Sequence, residues 1–290
     1  MARVNYLPCL DSDQHAAKRK KELFMEREHA ASLGHSAVQI SKDGYYLSDK
    51  GEKVNISSLV KAAIRNKVSI SPEMVLTKST VHFDETKIQV ANETTLQAGY
   101  RLLKTSPKVL ALNFANGISA GGGFLHGARA QEEFLCRSSS LYLTLVDDSM
   151  YAAHAKRSSP DSTDWAILSP DVPVFRSDNG TLLNAPYILS FLTCAAPYAP
   201  TVGKAESAKL MKHRIHRVLE IASSYGYDSL VLGAWGCGAF YNDPVEVAQS
   251  FKDALLGDFV GSFSEILFAI VDWSPERRLL RCFGLCLGNR

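Results

Sequence analysis

From about Val75 onward, short unbroken apolar runs alternate with longer stretches whose apolar residues recur at helical spacing. The strand candidates are "KIQVAN" (87–92), "VLALNFAN" (109–116), "YILSFLTCAAP" (187–197), "SLVLGAW" (229–235) and "EILFAIVD" (265–272). "ETTLQAGYRLLK" (93–104), Gln131 to Leu145, Lys204 to Ser224 and Pro244 to Leu256 read as helices. A strand that is apolar at nearly every position, rather than every second one, is covered on both faces. The pattern therefore predicts an α/β layer fold.

The first 75 residues have a different texture. Residues 12–33, rich in Ala, Lys, Glu, Leu and Met, predict one helix with Asp11, Ser12 or Asp13 as N-cap and Gly34 as its stop. From Gly34 to Pro72 the text is mixed and polar, with Gly44 and Gly51 suited to the turns of a small hairpin. Residues 1–75 are expected to form an accessory helical extension packed on the core, and residues 76–290 the catalytic domain. The extension offers no nameable chemistry.

Composition narrows the function classes. With 290 residues, 46% hydrophobic and 21% charged, the chain suits one large domain plus an extension. A formal charge of +2 argues against duplex nucleic acid as partner, because phosphate binding needs a clustered basic surplus. It leaves room for a local anion pocket. The basic run Lys18 to Lys21 is followed by Glu22, Glu26 and Glu28 and reads as a solvated helix face. Six cysteines, at 9, 136, 194, 237, 282 and 286, form no Cys-x-x-Cys pair, which favours a reducing compartment. The amino terminus has no apolar signal core and no apolar run reaches about 18 residues, so the expectation is a cytoplasmic protein without a membrane partner.

Two glycine-rich segments each lie between a strand and a helix, where an open α/β sheet binds its ligand. One joins "VLALNFAN" to the helix opening at Gln131 and contains Gly121, Gly122 and Gly123. The other, "GAWGCGAFYND" (233–243), leads to Pro244. Each alone also fits a plain turn or tight packing. Together, backbone N–H groups and helix ends suit a pyrophosphate. The Walker pattern is absent, and Gly236-x-Gly238 lacks the third glycine of the dinucleotide fingerprint, Tyr241 standing there. Asn116, ending its strand, offers an amide to sugar hydroxyls or caps a turn. Phe240 and Tyr241 either stack on a sugar or base or pack in the core.

Glu132 and Glu133 are adjacent, so on a helix they point about 100° apart and cannot straddle a scissile bond as two opposed glycosidase carboxylates do. They take different roles, or serve only as acids in a first helical turn. A carboxyl packed beside bound phosphate favours its protonated form and suits a general acid. Cys237 sits near a helix start but has no adjacent His to activate it as a nucleophile, and His213 and His216 lack a third metal ligand.

Gly121-Gly122-Gly123, seven residues, then Gln131-Glu132-Glu133 resembles the signature of poly(ADP-ribose) glycohydrolases. The flanking "LNFANGISAGGGFLHGARAQEEFLCRSSSLY" (112–142), "SPDVPVF" (169–175) and "LGAWGCGAFYNDPVEVAQSF" (232–251) are similar to the shorter, bacterial and fungal type, over about Ile88 to Val271. The resemblance implies a macrodomain-like three-layer α/β/α sandwich with a mixed central sheet, and an N-terminal helical extension. It implies hydrolysis of the ribose–ribose O-glycosidic bond of poly(ADP-ribose), or of an ADP-ribosylated protein, with ADP-ribose as product and neither metal nor cofactor. Glu133 matches the acid/base and Glu132 a neighbour that orients the ribose. Asn116 matches a ribose ligand, Gly121, Gly122 and Gly123 a pyrophosphate loop, and Gln131 a buttress of the glutamates. Gly236, Cys237, Gly238, Ala239 and Phe240 match the second phosphate loop. The chain departs from the family at Ala195-Ala196-Pro197-Tyr198 and at Tyr241, near the expected ligand rim, and His126 falls in the stretch expected to tune substrate fit. A remover of single ADP-ribose groups and a silent reader of ADP-ribose are the competing expectations.

Overall fold

The computed structural model describes residues 2–77 and 79–288. Its amino-terminal quarter runs β1 (Arg3–Tyr6), α1 (Asp13–Leu23), α2 (Arg27–Asp43), β2 (Tyr45–Leu47), β3 (Lys53–Asn55), α3 (Ser57–Asn66) and β4 (Val68–Ile70). Then come β5 (Glu85–Ala91), α4 (Thr95–Leu102), β6 (Val109–Ala115), α5 (Gln131–Ser138), α6 (Leu141–Leu145), α7 (Ser149–Ala155), β7 (Ala166–Arg176) and β8 (Leu182–Ala195). The last part is α8 (Ala199–Val202), α9 (Lys204–Ser224), β9 (Ser229–Leu232), α10 (Pro244–Leu256), β10 (Glu265–Ala269) and α11 (Arg278–Leu287).

Eight strands make one sheet in the order β1-β5-β10-β9-β6-β8-β7-β4. Pairing is parallel from β1 to β8, and antiparallel where β7 meets β8 and β4. The apolar runs are sandwiched, as their pattern predicts. Leu110, Leu112, Leu230, Leu232 and Phe268 face Met211, Ile215, Phe251 and Phe283 of α9, α10 and α11. Val109, Ala111, Val231 and Leu267 face the opposite layer, with Leu96 of α4, Leu135 of α5, Leu141 of α6 and Met150 of α7. The sheet is mixed and lies between two helical layers.

The helix expected over 12–33 is two helices, α1 ending at an extended Phe24. Gly34 is no stop. It sits inside α2, where an added Cβ would lie 2.7 Å from the Phe124 carbonyl oxygen. The stop is Gly44, in the left-handed conformation at φ +73°. The helix expected from Gln131 to Leu145 breaks at Ser139, whose extended backbone bridges to Val174 while its hydroxyl donates to Leu135 O. Residues 1–75 do more than pack on the core. β1 pairs with β5 at one edge of the sheet and β4 with β7 at the other.

Candidate active site

The carboxyl ends of β5, β6, β8, β9 and β10 open onto one cleft of about 480 Å³. Asn116, Gln131, Glu132, Glu133, Gly236, Gly238, Ala239 and Phe240 line it, so the structure brings together both glycine segments and the paired acids. Gly121, Gly122, Gly123 and Cys237 are not on its wall.

Gln131 fixes the start of α5. Its Oε1 accepts from Phe114 N (2.9 Å), and its Nε2 donates to Leu112 O (2.8 Å) and Thr95 Oγ1 (3.0 Å). The amide is thereby committed to β6 and α4. These bonds tie the first residue of α5 to β6 and α4 at the wall of the cleft.

Glu132 is 3% exposed. Its Oε2 accepts from Asn116 N (2.7 Å) and its Oε1 from Asn113 Nδ2 (3.2 Å). Burial pushes this carboxyl up to about 8; the neighbouring Glu133 charge adds to the rise and the Asn116 and Asn113 donors oppose it. Burial thus favours the protonated form of Glu132. Glu133 is also buried, and its carboxylate is clamped by two backbone donors, Gly123 N on Oε1 and Ala130 N on Oε2, both at 3.0 Å.

The triple glycine serves the acids directly. Gly122 has φ +57°, and a Cβ on it would lie 2.4 Å from Glu133 Oε1 and 3.0 Å from Glu132 Oε2. Its N–H donates to Ser119 O, and that of Gly123 goes to Glu133, so these donors are turned inward rather than toward the cleft. The room left by the missing Gly122 side chain is filled by carboxylate oxygens of Glu133 and Glu132. Asn116 likewise uses Oδ1 to cap its own turn, accepting from Ile118 N and Ser119 N at 3.0 Å.

The second loop keeps open donors. Among the described residues, the N–H groups of Gly238, Ala239 and Phe240 reach no protein acceptor, and this stretch faces the cleft. The loop is tied down by Asn242, whose Nδ2 donates to Pro197 O (2.9 Å) and Gly236 O (3.1 Å) while Oδ1 accepts from Ser207 Oγ (2.6 Å). Tyr198 packs edge-on to Phe240, with ring centroids 5.9 Å apart. Tyr241 takes a positive φ of 57° and is 68% exposed. Cys237 points its thiol at Trp235 O, and burial pushes it up to about 12, so it is a packing group and no nucleophile.

Sequence reasoning missed several contributors. Asn113 is fully buried and holds Glu132; an amide inside an otherwise apolar strand was the available signal, since buried polar groups need a reason. Glu93, Asp178, Trp273 and Leu23 line the cleft from four separate segments. Asp178, held by Thr94 Oγ1 at 2.6 Å, is pushed up to about 6 by burial. No local motif links these positions. Among the described residues no group of three or more His, Cys, Asp or Glu is placed to hold a metal, and no helix is long and apolar enough to cross a membrane.

Comparison with known proteins places the chain in a family. Residues 34–177 match the family model described as the microbial-type PARG catalytic domain. The crystal structure of poly(ADP-ribose) glycohydrolase from Thermomonospora curvata superposes with a TM-score of 0.84 at 38% identity, covering 90% of this chain and 100% of that one. The same enzyme bound to the inhibitor ADP-HPD gives 0.83 at 39% identity over 89% and 99%. The Deinococcus radiodurans glycohydrolase in complex with ADP-ribose gives 0.74 at 35% identity, over 81% of this chain and 98% of that one. No curated protein matches the chain. With over a third of its residues shared across nine-tenths of its length, and the same fold, the chain belongs to the microbial-type poly(ADP-ribose) glycohydrolases.

Proposed function

We infer that this protein hydrolyses the ribose–ribose O-glycosidic bond of poly(ADP-ribose) and releases ADP-ribose, with Glu133 as acid/base and Glu132 as its orienting neighbour. The observation that carries this reading is the convergence of the two carboxyls on one point beside the cleft, behind Gly122. Two acids so close share a proton more readily than they bear two charges. Glu132, with its raised proton affinity, supplies that proton to the pair. The open N–H groups of Gly238, Ala239 and Phe240 receive the diphosphate, whose charge further favours the protonated pair.

In the reaction, Glu133 gives a proton to the leaving 2′-hydroxyl oxygen as the C1″–O bond breaks. The developing oxocarbenium lies beside the diphosphate charge. Glu133, now a carboxylate held by Gly123 N and Ala130 N, takes a proton from water, and the hydroxide adds to C1″. One carboxylate serves both steps. The six free cysteines, two of them buried, support a reducing, cytoplasmic setting.

The test is release of ADP-ribose from labelled poly(ADP-ribose), run beside a mono-ADP-ribosylated protein, for wild type and Glu133→Gln. Loss of a positioned acid lowers the rate by about 10² to 10⁴. Polymer turnover indifferent to Glu133→Gln would overturn the assigned role; turnover of the mono-modified protein alone would move the substrate to single ADP-ribose groups; binding without turnover would leave a reader.

A further inference from the structure

Between the triple glycine and α5 runs the segment 124–130, a 3-10 turn (Phe124–His126) and an extended return to Ala130. Its hold on the site is direct, since Ala130 N donates to Glu133 Oε2. The ties that fix this segment from outside come from the amino-terminal helices. Arg27 Nε donates to His126 O at 2.9 Å, and Arg129 Nη1 donates to Met25 O at 2.7 Å. The α1–α2 junction and the segment thus exchange one arginine each.

The backbones touch as well. Gly127 has φ +75°, and a Cβ there would lie 2.1 Å from Arg27 O; a Cβ on Gly34 of α2 would lie 2.7 Å from Phe124 O. Beneath them, Arg137 is 2% exposed and donates from Nη1 to Ala128 O at 2.5 Å. Its own carbonyl accepts from Arg176 Nη1, and Arg176 reaches back to α2 at Leu33 O (3.1 Å) and Ser36 Oγ (3.0 Å).

We infer that Met25–Ser36 is a positioning clamp for Glu133: it holds the 124–130 segment where Ala130 N and Gly123 N fix the carboxylate. The inference rests on the reading of Glu133 as the acid/base. Arg27 and Gly127 touch neither the cleft nor the acids, so they act only through the segment they hold.

Arg27→Ala tests the clamp from one side and Gly127→Ala from the other, the second by driving a methyl into Arg27 O. Arg27 is exposed, so its truncation opens no cavity in the core. Arg217→Ala is the control, since Arg217 ties Ser71 O and Met74 O far from the cleft. For Arg27→Ala the expected result is a kcat lower by about 2- to 12-fold, the rate equivalent of one net hydrogen bond, with KM nearly unchanged. Gly127→Ala lowers kcat further, whereas Arg217→Ala lowers Tm and leaves kcat alone.

Amide exchange of the 121–133 stretch, measured by mass spectrometry, gives a readout independent of turnover. It quickens in Arg27→Ala and Gly127→Ala and not in Arg217→Ala. Unchanged exchange and unchanged kcat in both clamp variants would overturn the clamp. A wild type that degrades no polymer but shows the exchange pattern would sink the hydrolase reading while the clamp stands.

Discussion

At the scale of single residues, Glu132 decides more than its place in a signature suggests. Folded, burial lifts its carboxyl from an ordinary 4.5 to about 8. A group with a raised folded pKa binds its proton more tightly in the native state, so the stability it adds is complete below about 4.5 and is lost as pH climbs toward about 8. Glu132→Gln removes that dependence. The amide oxygen can still accept from Asn116 N, and Asn113, whose Oδ1 has no partner, can turn its amide to receive the new N–H. Thermal melts of wild type and Glu132→Gln should nearly coincide at pH 5 and separate by several degrees at pH 8.5, with the variant higher. Melts that stay parallel across this range would mean that Glu132 is ionised throughout.

The two glycine segments make opposite residue-scale predictions. Gly122→Ala forces a left-handed alanine, roughly 1–2 kcal/mol of backbone strain, and sets a methyl 2.4 Å from Glu133 Oε1. Activity should fall by at least about 10², the cost of displacing a positioned acid, with a drop of a few degrees in Tm. Gly238→Ala meets nothing within 4 Å in the protein, so its Tm should not change. Its methyl stands on the cleft wall, and the expected penalty is a raised KM. A Gly238→Ala enzyme with native KM would argue that the diphosphate does not approach this backbone.

At the scale of elements, Gln131 splices α5 to β6. Gln131→Met leaves Phe114 N and Leu112 O without their side-chain partner, at about 1–3 kcal/mol each where buried. A Tm lower by roughly 5–10 °C follows, accompanied by a fall in kcat as α5 loosens. The sequence disclosed the elements whose pattern is local: β5, β6, β9 and β10 as apolar runs, α9 and α10 as helical stretches between them. It hid β7, whose apolar run is interrupted by Pro170, Asp171 and Pro173; in the structure Pro170 and Asp171 sit in a bulge against β8, with Asp171 at φ +54°, and Pro173 pairs in register with Ile188. It also hid the inward turn of the glycine donors. Spacing announces that glycines and glutamates meet, but which group receives each N–H depends on side-chain burial that no spacing encodes.

At the scale of the whole molecule, the change of texture at residue 75 falls within one sheet, since β1 and β4 pair with strands that follow it. The part before it supplies both edges of the main sheet, the clamp on 124–130, and a satellite core in which Ala37, Tyr46, Ile56 and Val60 enclose Phe175 of β7. A chain beginning at residue 76 would expose the backbone edges of β5 and β7 and leave Phe175, now fully buried, in water. Open apolar edges of this kind pair with other chains. We expect residues 76–290 alone to aggregate or to lack a cooperative melt and ADP-ribose binding. A shorter cut, removing residues 2–9, takes away β1 and the exposed Cys9 and opens the β5 edge alone, leaving β4 on β7 and the satellite core in place, and should give a folded, active protein with a lower Tm. The pair is checked by calorimetry with and without ADP-ribose. A sharp, ligand-stabilised transition from 76–290 would mean that the catalytic layers hold themselves together and that the amino-terminal quarter is an accessory after all.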